Sequence, residues 1–269
     1  MASGSRARMT DTKLALITGA SSGIGFELAK LFAQAGYDLV VAAEDDGIRD
    51  VPQRLAEFSA DVQPIQVDLR KSDGVEHLYR SAIEGDRILA AAALNAGVGQ
   101  GDMFLKTELA DDMSIIDLNV RSTVHLAKLV VRDMANREEG KVLFTSSVAS
   151  LMPGSYQTVY NASKSFIQSF AEGLRDELRD TSITVTSLMP GITDTNFFAR
   201  AGMLDSIAGK APKEDPARVA RQGFEALMND KQKVIGGSVV SKLMGISGAV
   251  LPDSVKAVGS RLLTAPRRR

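Results

Sequence analysis

Tyr160 and Lys164 form the residue pair in this sequence with the clearest chemical use. They are four positions apart in a segment, 157–180, whose apolar spacing predicts a helix, so both side chains lie on one helical face. A free tyrosine has a pKa of about 10, and a lysine ammonium beside it favours the phenolate and lowers that pKa. The pair is therefore predicted to exchange a proton with an oxygen of a bound molecule.

A serine at the end of a predicted strand could join this pair. Ser147 directly follows the predicted strand Lys141–Ser146, and a hydroxyl there can donate a hydrogen bond to an oxygen on which negative charge develops. Its neighbour Ser146 has the same side chain. Successive strand residues face opposite ways, so only one of the two serines can point into a cleft.

A glycine-rich turn near the N-terminus could hold an anion beside these groups. The stretch TGASSGIG places Gly19, Gly23 and Gly25 between an apolar run and a predicted amphipathic helix at 24–35. Helix N-termini favour anions, and glycine lets a ligand approach the backbone closely. A P-loop is excluded because no Lys-Ser or Lys-Thr pair follows these glycines. A purely structural turn stays possible, but a dinucleotide-binding turn is favoured because the stretch closes the first strand of a βα repeat.

The elements that must position these residues alternate along the chain. Strands are predicted at Lys13–Thr18, Asp38–Ala43, Val62–Asp68, Ile88–Asn95, Lys141–Ser146, Ser182–Met189 and Val234–Gly236. Helices are predicted at 24–35, 50–59, 73–84, 107–136, 157–180 and 216–229. Continuously apolar strands suit a parallel sheet covered on both faces. The pattern predicts a single α/β domain of the doubly wound (Rossmann) type, with a mostly parallel seven-stranded sheet and helices on both faces.

Composition excludes several other classes of function. The chain has 269 residues, 44% of them hydrophobic and 24% charged, with a formal net charge of −1, so neither nucleic acid nor a membrane surface is an expected partner. It has no cysteine and only two histidines, His77 and His125, which are expected to be solvated and structural; no metal is expected. No apolar stretch reaches the roughly 18 residues of a spanning helix. A cytoplasmic protein is therefore expected.

Motifs along most of the chain, about residues 13 to 235, resemble those of the short-chain dehydrogenase/reductase superfamily. The glycine turn has the family spacing GxxxGxG, and Ser147 precedes Tyr160 by the family's thirteen residues. Asn119, in DLNVRS, falls on the predicted long helix. The remaining matches are Asp68-Leu69 after the third strand, NAG at Asn95-Ala96-Gly97, YNASK at Tyr160–Lys164 and PGITDT at Pro190–Thr195.

The resemblance implies hydride transfer between a nicotinamide cofactor and a ketone or secondary alcohol. It assigns Tyr160 as general acid/base, and Lys164 as its activator and a ligand of the nicotinamide ribose. It selects Ser147 over Ser146 to orient the carbonyl, and it makes Asn119 the anchor of a water relay. It also implies a homodimer or homotetramer. The implied cofactor-binding residues are Gly19, Ser21, Ser22, Gly23, Ile24, Gly25, Glu44, Asp68, Leu69, Asn95, Ala96, Gly97, Tyr160, Lys164, Pro190, Gly191, Thr193 and Thr195.

Two other functions are compatible with parts of this pattern. Sugar-nucleotide epimerases and dehydratases share YxxxK, but they usually have longer chains and a TGxxGxxG turn. A non-catalytic protein that binds or senses the cofactor on the same scaffold would usually have lost the tyrosine or the lysine. This chain retains Tyr160, Lys164, Ser147 and Asn119, which favours the enzyme.

The end of the second strand favours NAD(H) over NADP(H). Ala43 stands where the family most often has aspartate, but the next residues, Glu44, Asp45 and Asp46, are acidic. Ser22 stands where NADP-dependent relatives often carry a cation. Carboxylates bind the ribose hydroxyls and repel a 2′-phosphate. NADP(H) stays possible because a loop carrying Arg49 or Arg70 could supply a cation.

Three further segments lie outside the strand–helix alternation. Residues 1–9 lack apolar anchors and are expected to be a disordered lead or expression remnant, whose removal changes neither folding nor activity. Residues 10–236 form the predicted dinucleotide-binding domain, and 237–269 a helical extension that covers the pocket or a subunit interface. A lid is expected at 194–210. Its apolar residues are expected to cover the pocket: Phe197, Phe198, Met203, Leu204 and Ile207. Met152 and Tyr156, on the loop after Ser147, are expected to line it.

Overall fold

All seven strands lie in one parallel sheet. The computed structural model describes residues 13–85, 87–238 and 253–265. The strands are β1 (Leu14–Thr18), β2 (Asp38–Ala43), β3 (Val62–Gln66), β4 (Leu89–Leu94), β5 (Gly140–Thr145), β6 (Ile183–Pro190) and β7 (Lys233–Gly236). Their order is β3-β2-β1-β4-β5-β6-β7, and every neighbouring pair is parallel. The predicted doubly wound α/β fold is confirmed.

Helices connect the strands and cover both faces of the sheet. They are α1 (Gly23–Gln34), α2 (Val51–Arg54), α3 (Ser72–Ala82), α4 (Leu109–Ile115), α5 (Ser122–Arg137), α6 (Thr158–Glu177), α7 (Phe197–Arg200), α8 (Ile207–Lys210), α9 (Pro216–Met228) and α10 (Asp253–Thr264). Short 3₁₀ helices lie at Asp46–Asp50 and Val148–Leu151. A π-helical segment, Ile116–Arg121, joins α4 to α5. No helix in the described ranges is long and apolar enough to cross a membrane.

The sheet separates two apolar cores, which explains why its strands are apolar without alternation. Leu14 and Leu16 face one core with α3, α5 and α6, while Ala15 and Ile17 face the other with α1 and α9. Because successive side chains point to opposite faces, a strand covered on both sides must be apolar at every position. This packing fixes the C-terminal ends of the strands in one row.

The structure differs from the predicted elements at two places that bear on the site. Strand β3 ends at Gln66, so Asp68 lies in the following turn rather than in the strand. The predicted helix at 50–59 is shorter, a 3₁₀ turn followed by the four-residue α2. The chain must return within a few residues to pair β3 with β2, and that pairing outweighs the local helical pattern.

The lid segment and part of the tail have structure of their own. The short helices α7 and α8 fold over a small cluster of Phe198, Ala201, Met203 and Ala208. In the tail, residues Asp253–Thr264 form α10. The lead over residues 1–9 and the tail residues 239–252 and 266–269 lie outside the described residues.

Candidate active site

One large cleft crosses the C-terminal ends of the strands, where β1 lies between β2 and β4 and the strand order reverses direction. Such switch points are the usual ligand sites of open α/β sheets. The predicted residues that line it are Gly19, Ser21, Ser22, Gly23, Ile24, Gly25, Glu44, Leu69, Asn95, Ala96, Gly97, Ser147, Tyr160, Lys164, Pro190, Gly191, Thr193 and Thr195. Asp68 and Asn119 are predicted site residues that do not line it.

The glycine turn enters α1 in a backbone conformation that favours glycine. Gly19 and Gly23 have φ of +67° and +57°, a region that side-chain-bearing residues rarely adopt. A Cβ on Gly25 would lie 2.1 Å from the carbonyl oxygen of Gly19, so the turn could not pack against α1 with any other residue there. The Ser22 hydroxyl, at the N-cap of α1, makes no capping hydrogen bond. This helix end therefore offers backbone N–H groups and a free hydroxyl to an anion.

The NAG segment is tied to the glycine turn by Thr18. The Thr18 hydroxyl accepts hydrogen bonds from the backbone N–H groups of Asn95 and Ala96, both at 3.0 Å. The Asn95 side chain donates to the carbonyl oxygen of Thr18 at 3.1 Å and accepts from the Thr145 hydroxyl at 3.1 Å. The ends of β1, β4 and β5 are thus held together as the floor of the cleft.

Tyr160, Lys164 and Ser147 meet at one end of the cleft, and all three are at least 91% buried. Burial raises the pKa of Tyr160 to about 12, and a hydrogen bond with Ser147 only partly offsets the rise. Burial also lowers the pKa of Lys164 to about 8. The Lys164 ammonium donates to the carbonyl oxygen of Thr145 at 2.9 Å and lies 5.9 Å from the centre of the Tyr160 ring.

These protonation properties differ from the sequence expectation. The spacing of Tyr160 and Lys164 predicted that the lysine would lower the pKa of the tyrosine. In the structure the desolvation of both groups dominates, because removing water disfavours the phenolate and the ammonium alike. At neutral pH the Tyr160 phenol therefore keeps its proton.

The two serines after β5 face opposite ways, as strand alternation requires. Ser147 caps the following 3₁₀ helix, accepting from the Ala149 N–H at 3.1 Å, and its hydroxyl reaches Tyr160. Ser146 instead donates to the side-chain oxygen of Gln168 at 2.7 Å, an oxygen that also accepts from Ser187 at 2.6 Å. The sequence interpretation missed Gln168. Its signal was available, since Gln168 continues the four-residue spacing from Tyr160 to Lys164 on α6.

Asn119 lies in the π-helical segment, where sequence periodicity alone predicted uninterrupted helix. It is 1% exposed, and its side chain exchanges hydrogen bonds with the backbone N–H and C=O of Val98, both at 2.9 Å. The same amide donates to the Ser163 hydroxyl at 2.9 Å. π-turns are frequent at functional sites. Here the segment aims an amide at the loop after β4 and fixes the backbone beside Lys164.

The opposite end of the cleft, at the end of β2, holds an ion-pair cluster. Arg70 bonds both Glu44 and Asp68, the latter at 3.1 Å. Burial alone would raise the pKa of Asp68, but hydrogen bonds from Arg70 and the charges of Arg70 and Lys71 outweigh it and hold that pKa below its usual value. Asp68 is thus occupied by Arg70 and turned away from the cleft.

Two further arginines lie at this end and were not part of the sequence interpretation. Arg200 is 3.5 Å from Asp45, which also accepts from the Ser21 hydroxyl at 2.9 Å. Arg54 donates to the carbonyl oxygen of Ser21 at 2.9 Å, with its guanidinium 3.5 Å from the centre of the Phe26 ring. Arg54 and Arg200 thus add to Arg49 and Arg70, the two arginines that the sequence suggested as sources of a cation at this end.

The lid residues divide between the cleft, the interior and solvent. Phe197 and Phe198 line the cleft, and the Phe197 ring centre lies 5.0 Å from that of Tyr160. Met203 is buried beneath them, whereas Leu204 and Ile207 are 53% and 43% exposed and line no part of the cleft. Met203 and Leu204 lie between α7 and α8, and Ile207 begins α8, so these three residues do not reach the cleft from the lid.

The loop after Ser147 and the tail contribute unequally to the walls. Met152 lines the cleft as expected, but Tyr156 lies in a separate small groove with Asp112 and Val159, so its prediction as a pocket residue is wrong. Its backbone has φ of +60°, which turns the side chain away. The tail supplies wall residues that the sequence did not single out, namely Ser260, Leu263 and Thr264 of α10.

Comparisons with known proteins agree with this geometry. The profile of the short chain dehydrogenase family matches residues 13–203. A short-chain type dehydrogenase/reductase of Sinorhizobium fredii is 34% identical over 254 residues, covering 87% of this chain and 98% of that protein. A short-chain dehydrogenase from Sphingobium yanoikuyae, solved with NADPH, is 26% identical, with a TM-score of 0.79 over 88% of this chain and 93% of that one.

A second solved structure carries the other nicotinamide cofactor. A short-chain dehydrogenase/reductase from Burkholderia phymatum, solved with NAD, is 25% identical, with a TM-score of 0.79 over 88% of this chain and 92% of that one. Across the ranges that the structure describes, no group of three or more His, Cys, Asp or Glu residues could hold a metal ion. The chain belongs to the short-chain dehydrogenase family and is an NAD(P)-dependent dehydrogenase/reductase.

Proposed function

We propose that this enzyme transfers a hydride between the cofactor and a hydrophobic ketone or secondary alcohol, with Tyr160 as the proton donor to the carbonyl oxygen. One observation carries the proposal: a buried phenol, a serine hydroxyl and an aromatic lid residue meet at one end of the cleft. Tyr160 is bonded to Ser147 and lies against Phe197. Two hydroxyls side by side can bind one carbonyl oxygen, where negative charge develops during reduction.

The residues of the cleft fit a dinucleotide. The first turn of α1 and the free Ser22 hydroxyl suit its phosphates, and Gly19 and Gly23 leave no side chain in the way. Pro190 ends β6, and Gly191, Thr193 and Thr195 follow it. These four residues are proposed to hold the nicotinamide end, with Lys164 on its ribose. When bound, the nicotinamide supplies or accepts the hydride.

The state of Tyr160 favours the reductive direction. Its pKa of about 12 keeps the phenol protonated at neutral pH, so the group that must donate a proton already carries one. Lys164 is proposed to replace that proton from below the ring, since an ammonium with a pKa of about 8 gives up a proton more readily than an exposed lysine. Asn119 is proposed to hold the backbone beside this lysine.

The walls beyond Tyr160 support an apolar substrate. Met152, Phe197, Phe198, Ala208 and Leu263 line this part of the cleft. Each presents carbon atoms, so a ligand gains about 25 cal/mol for every Å² of apolar surface that it buries there. The lid at 194–210 is proposed to cover the substrate and exclude water.

The cofactor is proposed to be NAD(H) by preference. Glu44 and Asp45 line the cleft, where a carboxylate can accept from a ribose hydroxyl and repels a 2′-phosphate. The nearby Arg70 and Arg200 are already paired with those carboxylates. A 2′-phosphate would have to compete with Glu44 and Asp45 for these arginines.

A second copy of the chain is proposed to cover an apolar stripe outside the cleft. Leu109, Met113 and Ile116 lie at helical spacing, Leu105 lies in the turn before α4, and the four residues are 73%, 45%, 37% and 89% exposed in that order. Light scattering on the purified protein tests this. A dimer that Leu109→Glu converts to monomer supports the proposal, and a monomeric wild type overturns it.

The proposed activity is tested by NADH oxidation with a panel of hydrophobic ketones, and by NAD⁺ reduction with the matching secondary alcohols. Turnover of apolar members, with little on short polar ketones, is the expected result. Tight NADH binding without turnover of any member would instead identify a cofactor-binding protein without this activity.

A further inference from the structure

The C-terminal helix α10 is fastened into the wall of the cleft. The Lys256 ammonium donates to the carbonyl oxygen of Leu151 at 3.3 Å, and the Thr264 hydroxyl donates to that of Ser155 at 2.6 Å. Both acceptors lie on the loop after Ser147, and α10 also packs against the lid helix α8. The helix therefore spans the gap between the loop and the lid.

One face of α10 is directed at the cleft. Ser260, Leu263 and Thr264 are spaced i, i+3 and i+4, so they share a face, and all three line the cleft. The Thr264 hydroxyl is already engaged, because it lies 2.6 Å from the Ser155 carbonyl oxygen and 2.8 Å from that of Ser260.

The Ser260 side chain is different. It is only 4% exposed, yet its hydroxyl has no hydrogen-bond partner among the described residues. Because Ser260 is one of the residues that line the cleft, a bound molecule can come close to it. A buried hydroxyl without a partner is unfavourable, and here a bound molecule can supply the partner.

We propose that Ser260 is a specificity-determining residue that hydrogen-bonds a second oxygen function of the substrate, apart from the reacting carbonyl. The substrate class is then a hydrophobic ketone or alcohol that also carries a hydroxyl or a second carbonyl. Leu263, Ala208 and Phe198 line the same cleft and offer no hydrogen bond from their side chains, so the Ser260 hydroxyl would determine the position at which a second oxygen is bound. The proposal rests on the carbonyl reduction proposed above, and it narrows the substrate of that same site.

The test compares methyl alkyl ketones of increasing chain length, each paired with its analogue hydroxylated at the far end. For the best hydroxylated ketone, Ser260→Ala is expected to lower kcat/KM by about tenfold, or about 1.4 kcal/mol. For the unhydroxylated partner the change stays within about twofold. Val258→Ala is the matched control, because Val258 lies on the same helix and is 48% exposed; it leaves both values unchanged.

A binding measurement tests the role of Ser260 independently of the role of Tyr160 as proton donor. Binding of each ketone pair to the NADH-loaded Tyr160→Phe protein, with and without Ser260→Ala, is measured by calorimetry. Preference for the hydroxylated ketone that disappears with Ser260→Ala supports the assignment even if Tyr160 is not the proton donor. Three results overturn the assignment. The two ketones of a pair bind equally, neither ketone binds, or Ser260→Ala weakens the binding of both equally.

Discussion

The two ends of the cleft are built on opposite electrostatic principles. At the end of β2, Glu44 and Asp68 pair with Arg70, and all three side chains are partly exposed. At the end of β5, Tyr160 and Lys164 are buried, and burial sets the direction of both pKa shifts. Exposed charges keep their ionised form and neutralise each other, whereas buried groups move toward their neutral form. One end therefore suits recognition of a ligand's charge, and the other suits proton transfer.

The largest expected effect of a substitution at the buried end is on turnover. Tyr160→Phe should reduce turnover by at least about a hundredfold, the usual contribution of a positioned acid or base. It should leave the dissociation constant of NADH within a few-fold, because the glycine turn and Lys164 remain. Steady-state kinetics and NADH fluorescence titration measure the two effects.

Tyr79→Phe is the matched control for this variant. Tyr79 lies on α3 and packs against the apolar core that α3, α5 and α6 cover. Removing its hydroxyl should leave turnover unchanged. If Tyr160→Phe kept more than a tenth of the wild-type turnover, its assignment as proton donor would be wrong.

Lys164→Met separates the chemistry of the buried end from its stability. Turnover should fall and NADH should bind more weakly, since Lys164 is assigned both to the proton path and to the ribose. The folded protein should nevertheless become more stable at pH 7. Burial lowers the pKa of Lys164 from 10.5 to about 8, which costs about 3 kcal/mol of folding free energy wherever the ammonium is charged in both states. The variant also loses the hydrogen bond to Thr145, which lowers its stability by about 1 kcal/mol. The variant is therefore expected to be about 2 kcal/mol more stable than wild type at pH 7.

The sign of this effect fixes its pH dependence. A lysine whose folded pKa is lowered destabilises the fold below that pKa, and the penalty disappears as pH rises from about 8 to 10.5. In urea unfolding, the stability curves of wild type and variant should therefore converge as pH rises above about 8, and should cross before pH 10.5, because only the lost bond to Thr145 then separates them. Lys231→Met, at an exposed position, should show no such convergence. A variant less stable than wild type at pH 7 would contradict the buried ammonium.

At the charged end the expected effect is about tenfold. NADH should bind at least about ten times more tightly than NADPH, which is about 1.4 kcal/mol. Glu44→Arg removes the carboxylate and adds a cation, so it should improve NADPH binding and remove the preference. Titration of both reduced cofactors into the same preparation measures this. Tighter binding of NADPH by the wild type would mean that Arg54, Arg70 or Arg200 serves the phosphate.

The smallest effect is expected for a charge at the rim of the same end. Asp46 and Arg49 are 3.7 Å apart with side chains 83% and 70% exposed, and such pairs contribute little. Asp46→Ala should change the affinity for either cofactor by less than about twofold. If Asp46→Ala changed cofactor affinity as much as Glu44→Arg does, the Asp46–Arg49 pair would also take part in binding the cofactor.

Local sequence patterns were sufficient to predict the sheet and the glycine turn, whereas most of the other cleft residues were predicted from the family resemblance. The seven strands and the glycine turn depend on residues that are neighbours in the chain, and Gly25 is required by a contact only six residues away. Strand alternation required that only one of Ser146 and Ser147 face the cleft, and the family spacing selected Ser147. The π-helical segment at Asn119 was not predictable in this way, because one extra residue in a turn leaves the apolar spacing nearly unchanged.

By itself, the sequence determined which residues share a face or a strand end: Tyr160 with Lys164, and Ser147 opposite Ser146. Only the tertiary structure decided what surrounds them. The pairing of Arg70 with Glu44, the approach of Arg54 and the position of Ser260 join residues that are far apart in the chain. The tertiary structure also decided the protonation of Tyr160, because the pKa of a side chain changes when packing removes the water around it. Periodicity fixes the direction of a side chain within its element, whereas burial and charge depend on how all the elements pack together.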